Sequence, residues 1–419
     1  MLINKLKQLS SDKFLRNVGW LGGAELVSRV FRLATTVTLA RMFSPYDYGL
    51  VSAIYTTFEF ANIFTVRAGI GAKIIQADEQ DLKVICDTSY WLNWILCGSI
   101  FVIQCLAAYP IAQFYRSNQL IWPICALALV YLTFPLYMVQ ASLLERENRL
   151  EIRALCNATQ AILCNIIIII FAILGMGVWS VVWSLILTYP VWIIITSMNT
   201  SWQPPKSFTI ERWKEIISFG GKLIGVDLLT RLRFNLDYLI IGRFLGLEAL
   251  GVYFFAFSAG LGISQNVIYT FTAALFPHLC AARENSKRLK KQFFKSLKTF
   301  ALIVIPVVLI QSSLAPFYVP IVFGQKWVTS IPLLVVLCYS AIPFALSRAI
   351  SQLLQAMDKS HIDLYWNAIF TVIFAAALLL AVQGGIVWIA ASVLTTQAVA
   401  IPLFTVWVIR YVFAKKLDL

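Results

Sequence analysis

The sequence predicts an all-α integral membrane protein with twelve transmembrane helices in two six-helix bundles, related by a parallel repeat around a central cavity. Three observations carry this reading. Composition is the first: 60% of the residues are hydrophobic and only 13% charged, with a mean hydropathy of +0.79, whereas a soluble domain carries about a quarter charged residues. The second is that the apolar runs are long and continuous. Helices that cross a bilayer need about 20 such residues, while barrel strands alternate over about ten. The third is an internal repeat. Gly23-Ala24-Glu25-Leu26-Val27-Ser28-Arg29-Val30 returns as Gly225-Val226-Asp227-Leu228-Leu229-Thr230-Arg231-Leu232, and the same register pairs Gly19 with Gly221, Arg41 with Arg243 and Gly49 with Gly251.

Taken in order, the predicted spans are 16–41, 48–66, 86–109, 119–143, 153–174, 178–198, 214–242, 248–276, 297–316, 329–354, 364–383 and 386–411. Lys5, Lys7 and Lys13 precede a first segment too long and too interrupted for a cleavable signal. Lys and Arg then collect on alternate loops. One side holds Lys73 and Lys83, then Arg146, Arg149 and Arg153, then Lys206, Arg212 and Lys214, then the run from Arg283 to Lys298, and finally Lys415 and Lys416. The other side has little beyond Arg41, Arg116, Arg243 and Lys326. Positive loops face the cytoplasm, so both termini of this multi-pass protein are expected there. This placement also accounts for the net charge of +14, which in a soluble chain would suggest nucleic acid; no nucleic-acid partner is expected here.

An even number of spans per repeat makes the halves parallel. Asn157-Ala158 matches Asn367-Ala368, and Val178-Trp179 matches Val387-Trp388. The halves are read as 1–200 and 201–419, with Trp202-Gln203-Pro204-Pro205-Lys206 opening the second as the linker. Trp91, Trp122, Trp202, Trp213 and Trp327 lie near span ends, as interface anchors do. The run from Arg283 to Lys298 reads as a solvated loop, or as a surface attracted to anionic headgroups. The eight cysteines show no C-x-x-C spacing and read as reduced packing residues; with only His278 and His361 present, no His-rich metal site is expected.

Charges inside predicted spans are the candidate functional residues, because each costs several kcal/mol in hydrocarbon unless it faces a bundle interior or watery cavity. Glu25, Arg29 and Arg32 share one face of the first helix, and Asp227 and Arg231 form the matching pair on the seventh. Lys222, Arg233 and Asp237 lie on a neighbouring face, and Glu59 and Arg348 add charges on the second and tenth helices. Six are basic and four acidic, so the cavity is expected to be modestly cationic. Each acid-x3-Arg pair could simply neutralise itself and pin two bundles together. The functional alternative is a path for an anionic, strongly hydrated group, since the planar guanidinium binds phosphate oxygens in a two-pronged fashion. The neighbouring carboxylates could bind Na⁺ or take up H⁺ and so couple transport to an ion gradient.

Several short motifs carry a family resemblance. They are Leu39-Ala40-Arg41-Met42-Phe43-Ser44-Pro45-Tyr46-Asp47-Tyr48-Gly49, Gly69-Ile70-Gly71-Ala72, Phe276-Pro277 with the basic run behind it, and Gly324-Gln325-Lys326-Trp327. In this order and spacing the chain resembles the polysaccharide transporter (O-antigen flippase) family of the multidrug/oligosaccharidyl-lipid/polysaccharide exporter superfamily, in its colanic acid and lipopolysaccharide exporter branch. The resemblance implies alternating access and an undecaprenyl-diphosphate-linked oligosaccharide as substrate. It implies contact with membrane lipids and work alongside a glycan polymerase and chain-length machinery. Arg29, Arg32, Arg231 and Arg233 are the positions that could meet the anionic headgroup. A multidrug or cation antiporter of the same superfamily is the alternative; it predicts a cavity dominated by carboxylates and aromatics, against the basic excess. A membrane glycosyltransferase or polymerase would need a paired-carboxylate or metal motif at a membrane face, and no such spacing occurs.

Overall fold

A computed structural model describes residues 30–65 and 67–414; within them the side chains of a few helical residues, Lys222 among them, fall outside the description. The described chain is all helical. In order it forms α1 (30–42), α2 (Pro45–Ile63), α3 (Arg67–Gln76), α4 (Leu82–Phe114), α5 (Ile121–Ala128), α6 (Met138–Arg146), α7 (Leu150–Ile173), α8 (Trp179–Thr188) and α9 (Pro190–Asn199). It continues with α10 (Trp213–Phe244), α11 (Gly246–Ala259), α12 (Leu261–Cys280), α13 (Ser286–Tyr318), α14 (Ile331–Tyr339), α15 (Ala341–Ala356), α16 (Ser360–Ala381) and α17 (Ile386–Ala414). Among the described residues eight helical segments are long and apolar enough to cross a membrane. Their outward faces stay apolar, as a lipid solvent allows: Leu106 and Leu380 are among the most exposed residues.

Several predicted spans are interrupted, each for a local reason. The span at 119–143 passes from α5 through a 3₁₀ stretch, Leu129–Leu136, that contains Pro135, before α6 begins. The span at 178–198 breaks where Pro190 opens α9, because proline lacks the N–H an interior helical position needs. The span at 248–276 divides at Gly260. A Cβ there would sit 2.8 Å from the Ala256 carbonyl oxygen, and Gln311 Nε2 donates to the carbonyls of Ala259 and Gly260, both at 2.8 Å. The run from Arg283 to Lys298 is a further correction. From Ser286 it is the exposed start of α13, capped by Asn285, whose side chain accepts from the Arg288 N–H at 3.0 Å.

The chain divides into two compact units. One comprises the described residues up to Ser44 with Ala53–Leu228; the other comprises Pro45–Ser52 and the described residues from Leu229 onward. In the first, Ile70, Ile74, Ile85, Leu92, Val139 and Ile216 form a buried core. Its charged loops meet at one end. Arg146 donates to the carbonyls of Ile74, Ile75 and Ala77, closing the C-terminus of α3, and pairs with Glu79 at 2.9 Å. Arg149 does the same for α9 through the Asn199 carbonyl at 2.8 Å. Cations suit these positions because unpaired carbonyls gather at helix C-termini. Arg212 pairs with Asp81, and Lys73 with Glu215. The stretch that follows the linker lies along α4, with Trp91 Nε1 donating to the Ser207 carbonyl at 2.8 Å and Thr88 Oγ1 to that of Glu211 at 2.6 Å.

In the second unit, the first turns of α2 cross α11 backbone to backbone. A Cβ on Gly49 would lie 1.9 Å from the Leu247 oxygen, and one on Gly251 would lie 1.7 Å from the Pro45 oxygen. Pro45 and Gly49 bear the same sequence offset to Leu247 and Gly251, so the repeat meets itself here through a two-fold contact. Packed beside it, Trp327 stacks on Phe255 at 4.0 Å and meets Tyr48 edge-on at 5.0 Å. Trp327 is 0% exposed, so it is an internal wedge and not the interface anchor its sequence position suggests. Gly324, at φ +107°, turns the chain just before it, in a conformation that side chains rarely adopt.

Overpacking a backbone crossing typically costs about 1–3 kcal/mol or more. Gly49→Ala and Gly251→Ala should each lower the melting temperature in detergent and the yield in membranes. Gly225→Ala, with nothing within 4 Å of its Cβ position, should leave both unchanged or improved.

Candidate functional site

Charge inside the second unit is gathered by three helices, α10, α15 and α16. Arg233 and Asp237 stand one turn apart on α10 and therefore on one face. The Arg233 guanidinium donates through Nη1 to Asn367 Oδ1 of α16 and lies 4.8 Å from the Phe234 ring centroid. One turn earlier on α16, Asp363 Oδ1 accepts from Ser351 Oγ of α15 at 2.9 Å. Arg348, also on α15, has its guanidinium 5.3 Å from the Tyr269 ring of α12. Asp363 and Arg348 both act electrostatically on Arg233. Asp237 is 6% exposed; its Oδ2 accepts from the Tyr253 hydroxyl at 2.6 Å and its Oδ1 from the Tyr238 N–H at 3.0 Å.

Beside this network is a cavity of about 60 Å³ whose polar lining includes Arg233, Asp237, Tyr253, Gln265, Ser347 and Gln397. A water occupies about 30 Å³ of liquid, so the space suits a few waters, a small cation or a phosphate oxygen. Two polar atoms nearby are buried without a hydrogen-bond partner among the described residues, Gln397 Oε1 and Arg348 Nε. One is an acceptor on a residue that lines the cavity and the other a donor on α15.

Of the ten predicted site residues, Arg233, Asp237 and Arg348 come together in this unit. Glu25 and Arg29 lie outside the described residues, as does the side chain of Lys222. Arg32 is exposed on α1, Asp227 and Arg231 are exposed on α10, and Glu59 is half-buried on α2. Among the described residues Asp227 makes no ion pair. Asp363, Asn367, Ser351 and Tyr253 are members of the network that the sequence pattern does not assign to the site. Asp363 stands one residue before the predicted span 364–383 and so counts as a loop charge, although its spacing of four from Asn367 places both on one helical face.

The first unit has a different interior. There Phe58, Tyr131, Phe134, Tyr137, Tyr189 and Trp192 form a chain of ring contacts, joined to polar groups by the bond from Trp192 Nε1 to Gln160 Oε1 at 2.7 Å. The offset that relates Asn157 to Asn367 relates Arg153 to Asp363, and Arg153 lies at the surface paired with Glu145. Among the described residues the one fully buried charge, Asp237, lies in the second unit.

Residues 38–332 match the model of a family described as polysaccharide biosynthesis protein. The chain belongs to this family of membrane transporters, which are not enzymes. It is 27% identical over 366 residues to the teichuronic acid biosynthesis protein TuaB of Bacillus subtilis, covering 86% of this chain and 74% of that protein. Solved structures share the fold. The lipid II flippase MurJ, in an inward closed conformation, superimposes with a TM-score of 0.77 at 12% identity, covering 94% of this chain and 89% of MurJ. An inward-facing multidrug resistance MATE transporter gives 0.75 at 17% identity, covering 93% and 96%. The chain is therefore a multi-pass membrane protein of bacterial polysaccharide export with a fold of the MATE and MurJ type.

Removing one partner of a buried hydrogen bond leaves the other unsatisfied, at about 1–3 kcal/mol. Tyr253→Phe should therefore lower the melting temperature by several degrees. Tyr269→Phe, which keeps the ring under Arg348, should not.

Proposed function

We propose that the protein flips undecaprenyl-diphosphate-linked oligosaccharide units across the bacterial inner membrane. It does so by alternating access of two bundles, 1–200 and 201–419, that together span the membrane twelve times with both termini in the cytoplasm. The observation that carries this reading is the half-buried network of Arg233, Arg348, Asp363 and Asn367 beside buried Asp237, in a chain of a polysaccharide-exporting family. A guanidinium keeps its charge in a poorly solvated interior and presents a planar fork to phosphate oxygens. A transporter of lipid-linked glycan needs such a group where the diphosphate crosses. Arg29, Arg32 and Arg231 are the further arginines assigned to the headgroup path, with Glu25, Asp227, Glu59 and Lys222 beside them.

Coupling follows from the charge balance. Arg233 and Arg348 are matched by Asp237 and Asp363, so the network is neutral when both carboxylates are ionised. Uptake of H⁺ or Na⁺ at either carboxylate leaves one guanidinium uncompensated and favours an anion. By linkage the anion then favours uptake of the cation to the same degree. This gives a physical route from an ion gradient to movement of an anionic headgroup. A cation or drug antiporter would gain nothing from the two arginines, which repel its substrate. On this reading a glycan polymerase and chain-length machinery receive the exported units.

The test is complementation of a bacterium that lacks its own O-antigen flippase, read as surface glycan. The wild-type chain should restore it. Arg233→Ala, Arg231→Ala and Arg29→Ala should abolish restoration at normal membrane abundance, with Arg233→Lys intermediate. Full activity in all three alanine variants would reduce these residues to structural pins. Dissipating the proton and sodium gradients should stop export, and indifference to both would remove coupling from the account.

A further inference from the structure

We infer that the N-terminal segment of α13, Ser286–Thr299, is a docking surface for the anionic phospholipid headgroups of the leaflet it emerges from. At 1.5 Å per residue its 33 residues extend about 50 Å, whereas a hydrocarbon core is about 30 Å thick. The apolar part begins near Phe300, so Ser286–Thr299 projects beyond the hydrocarbon. The projecting segment is cleanly two-faced. Leu289 and Phe293 point into the core formed with Leu353, Leu354 and Phe413, and buried Phe300 stacks on Phe271 at 4.2 Å. On the opposite side Lys287, Lys291, Phe294 and Lys298 follow one another at i, i+4, i+7 and i+11, flanked by Arg288, Lys290 and Lys295, and all seven are exposed.

Nothing in the described protein neutralises this ridge. None of its six cations forms an ion pair among the described residues, whereas the neighbouring Arg283 pairs with Asp358 at 3.7 Å. Nor does the repeat require it. The corresponding helix of the first half, α4, has the same 33 residues, yet it opens from Asp78-Glu79-Gln80-Asp81-Leu82-Lys83. Two of those acids are taken up by Arg146 and Arg212. A helix in this position therefore folds and enters the membrane without a cationic excess, and the excess on α13 calls for a ligand.

The chemistry of the ridge selects that ligand. Five of the six cations are lysines, compact hydrated charges suited to scattered phosphates, where a single diphosphate would favour arginine forks. Lys287 and Lys298 are about 16 Å apart along the axis, wider than one diphosphate and matched to several adjacent headgroups. Exposed Phe294 among the lysines is the apolar element that a membrane-surface contact adds to charge. This assignment does not rest on the transport reading.

The test is native mass spectrometry of the purified full chain, offered equal amounts of phosphatidylglycerol and phosphatidylethanolamine. The wild type should retain phosphatidylglycerol preferentially. Replacing Lys287, Lys291, Lys295 and Lys298 by Gln should reduce that preference by at least about tenfold, while arginine at the same positions should keep it. An unchanged melting temperature for the glutamine variant shows that the fold is intact. Retention by that variant equal to wild type would overturn the inference. So would one-for-one displacement of phosphatidylglycerol from the wild type by undecaprenyl diphosphate at equal concentration, which would make the ridge a site for the carrier lipid.

Discussion

The backbone crossing of α2 and α11 is the contact on which the second unit is built. In lipid, apolar side chains gain little by leaving the solvent for a neighbouring helix, so close packing must hold helices together. Glycine permits it. Gly49 faces the Leu247 carbonyl and Gly251 faces that of Pro45, so each half supplies the same residue to the same contact. A two-fold crossing of this kind needs both glycines, and a side chain on either would separate the two backbones. The wedge of Tyr48, Phe255 and Trp327 then fills the space beside the crossing. The residues that carry the family resemblance, from Ser44 to Gly49 and from Gly324 to Trp327, are thus largely architectural.

Function enters where the repeat has diverged. The first unit fills its interior with aromatic rings and uses its arginines at one end, closing the C-termini of α3 and α9. The second places Asp237 inside and leaves Arg233, Arg348 and Asp363 half-buried. Buried charges of this kind contribute little net stability, because desolvation offsets most of their attraction. On the proposed function they are there to bind an anionic headgroup. The small cavity beside them has room for an ion or a headgroup oxygen.

Much of this is legible in the amino-acid sequence. The repeat register alone pairs Gly49 with Gly251 and aligns Asn367 with Asn157. Charges within apolar runs locate Arg233, Asp237 and Arg348, because hydrocarbon makes such residues conspicuous. Asp363 escapes for the opposite reason: it stands at a span boundary, where charge is readily tolerated and therefore uninformative. Tyr253 reads as one more aromatic until its hydroxyl is seen on Asp237. The helix breaks at Gly260 and Pro190 are hidden because hydropathy averages over backbone geometry. The basic run after Asn285 resembles a loop because charge, and not periodicity, dominates it; the positions of Leu289, Phe293 and Phe300 show the helical face. Trp327 is ambiguous because tryptophan near a span end suits either an interface or a core.

The most direct measurement is translocation in vesicles. The purified protein would be reconstituted with undecaprenyl-diphosphate-linked oligosaccharide in the inner leaflet, and the glycan reaching the outer surface read with an externally added glycosidase. The account predicts exposure well above that of protein-free vesicles, faster with an imposed proton or sodium gradient than without. Exposure equal to the protein-free rate in correctly folded, gradient-bearing vesicles would contradict it.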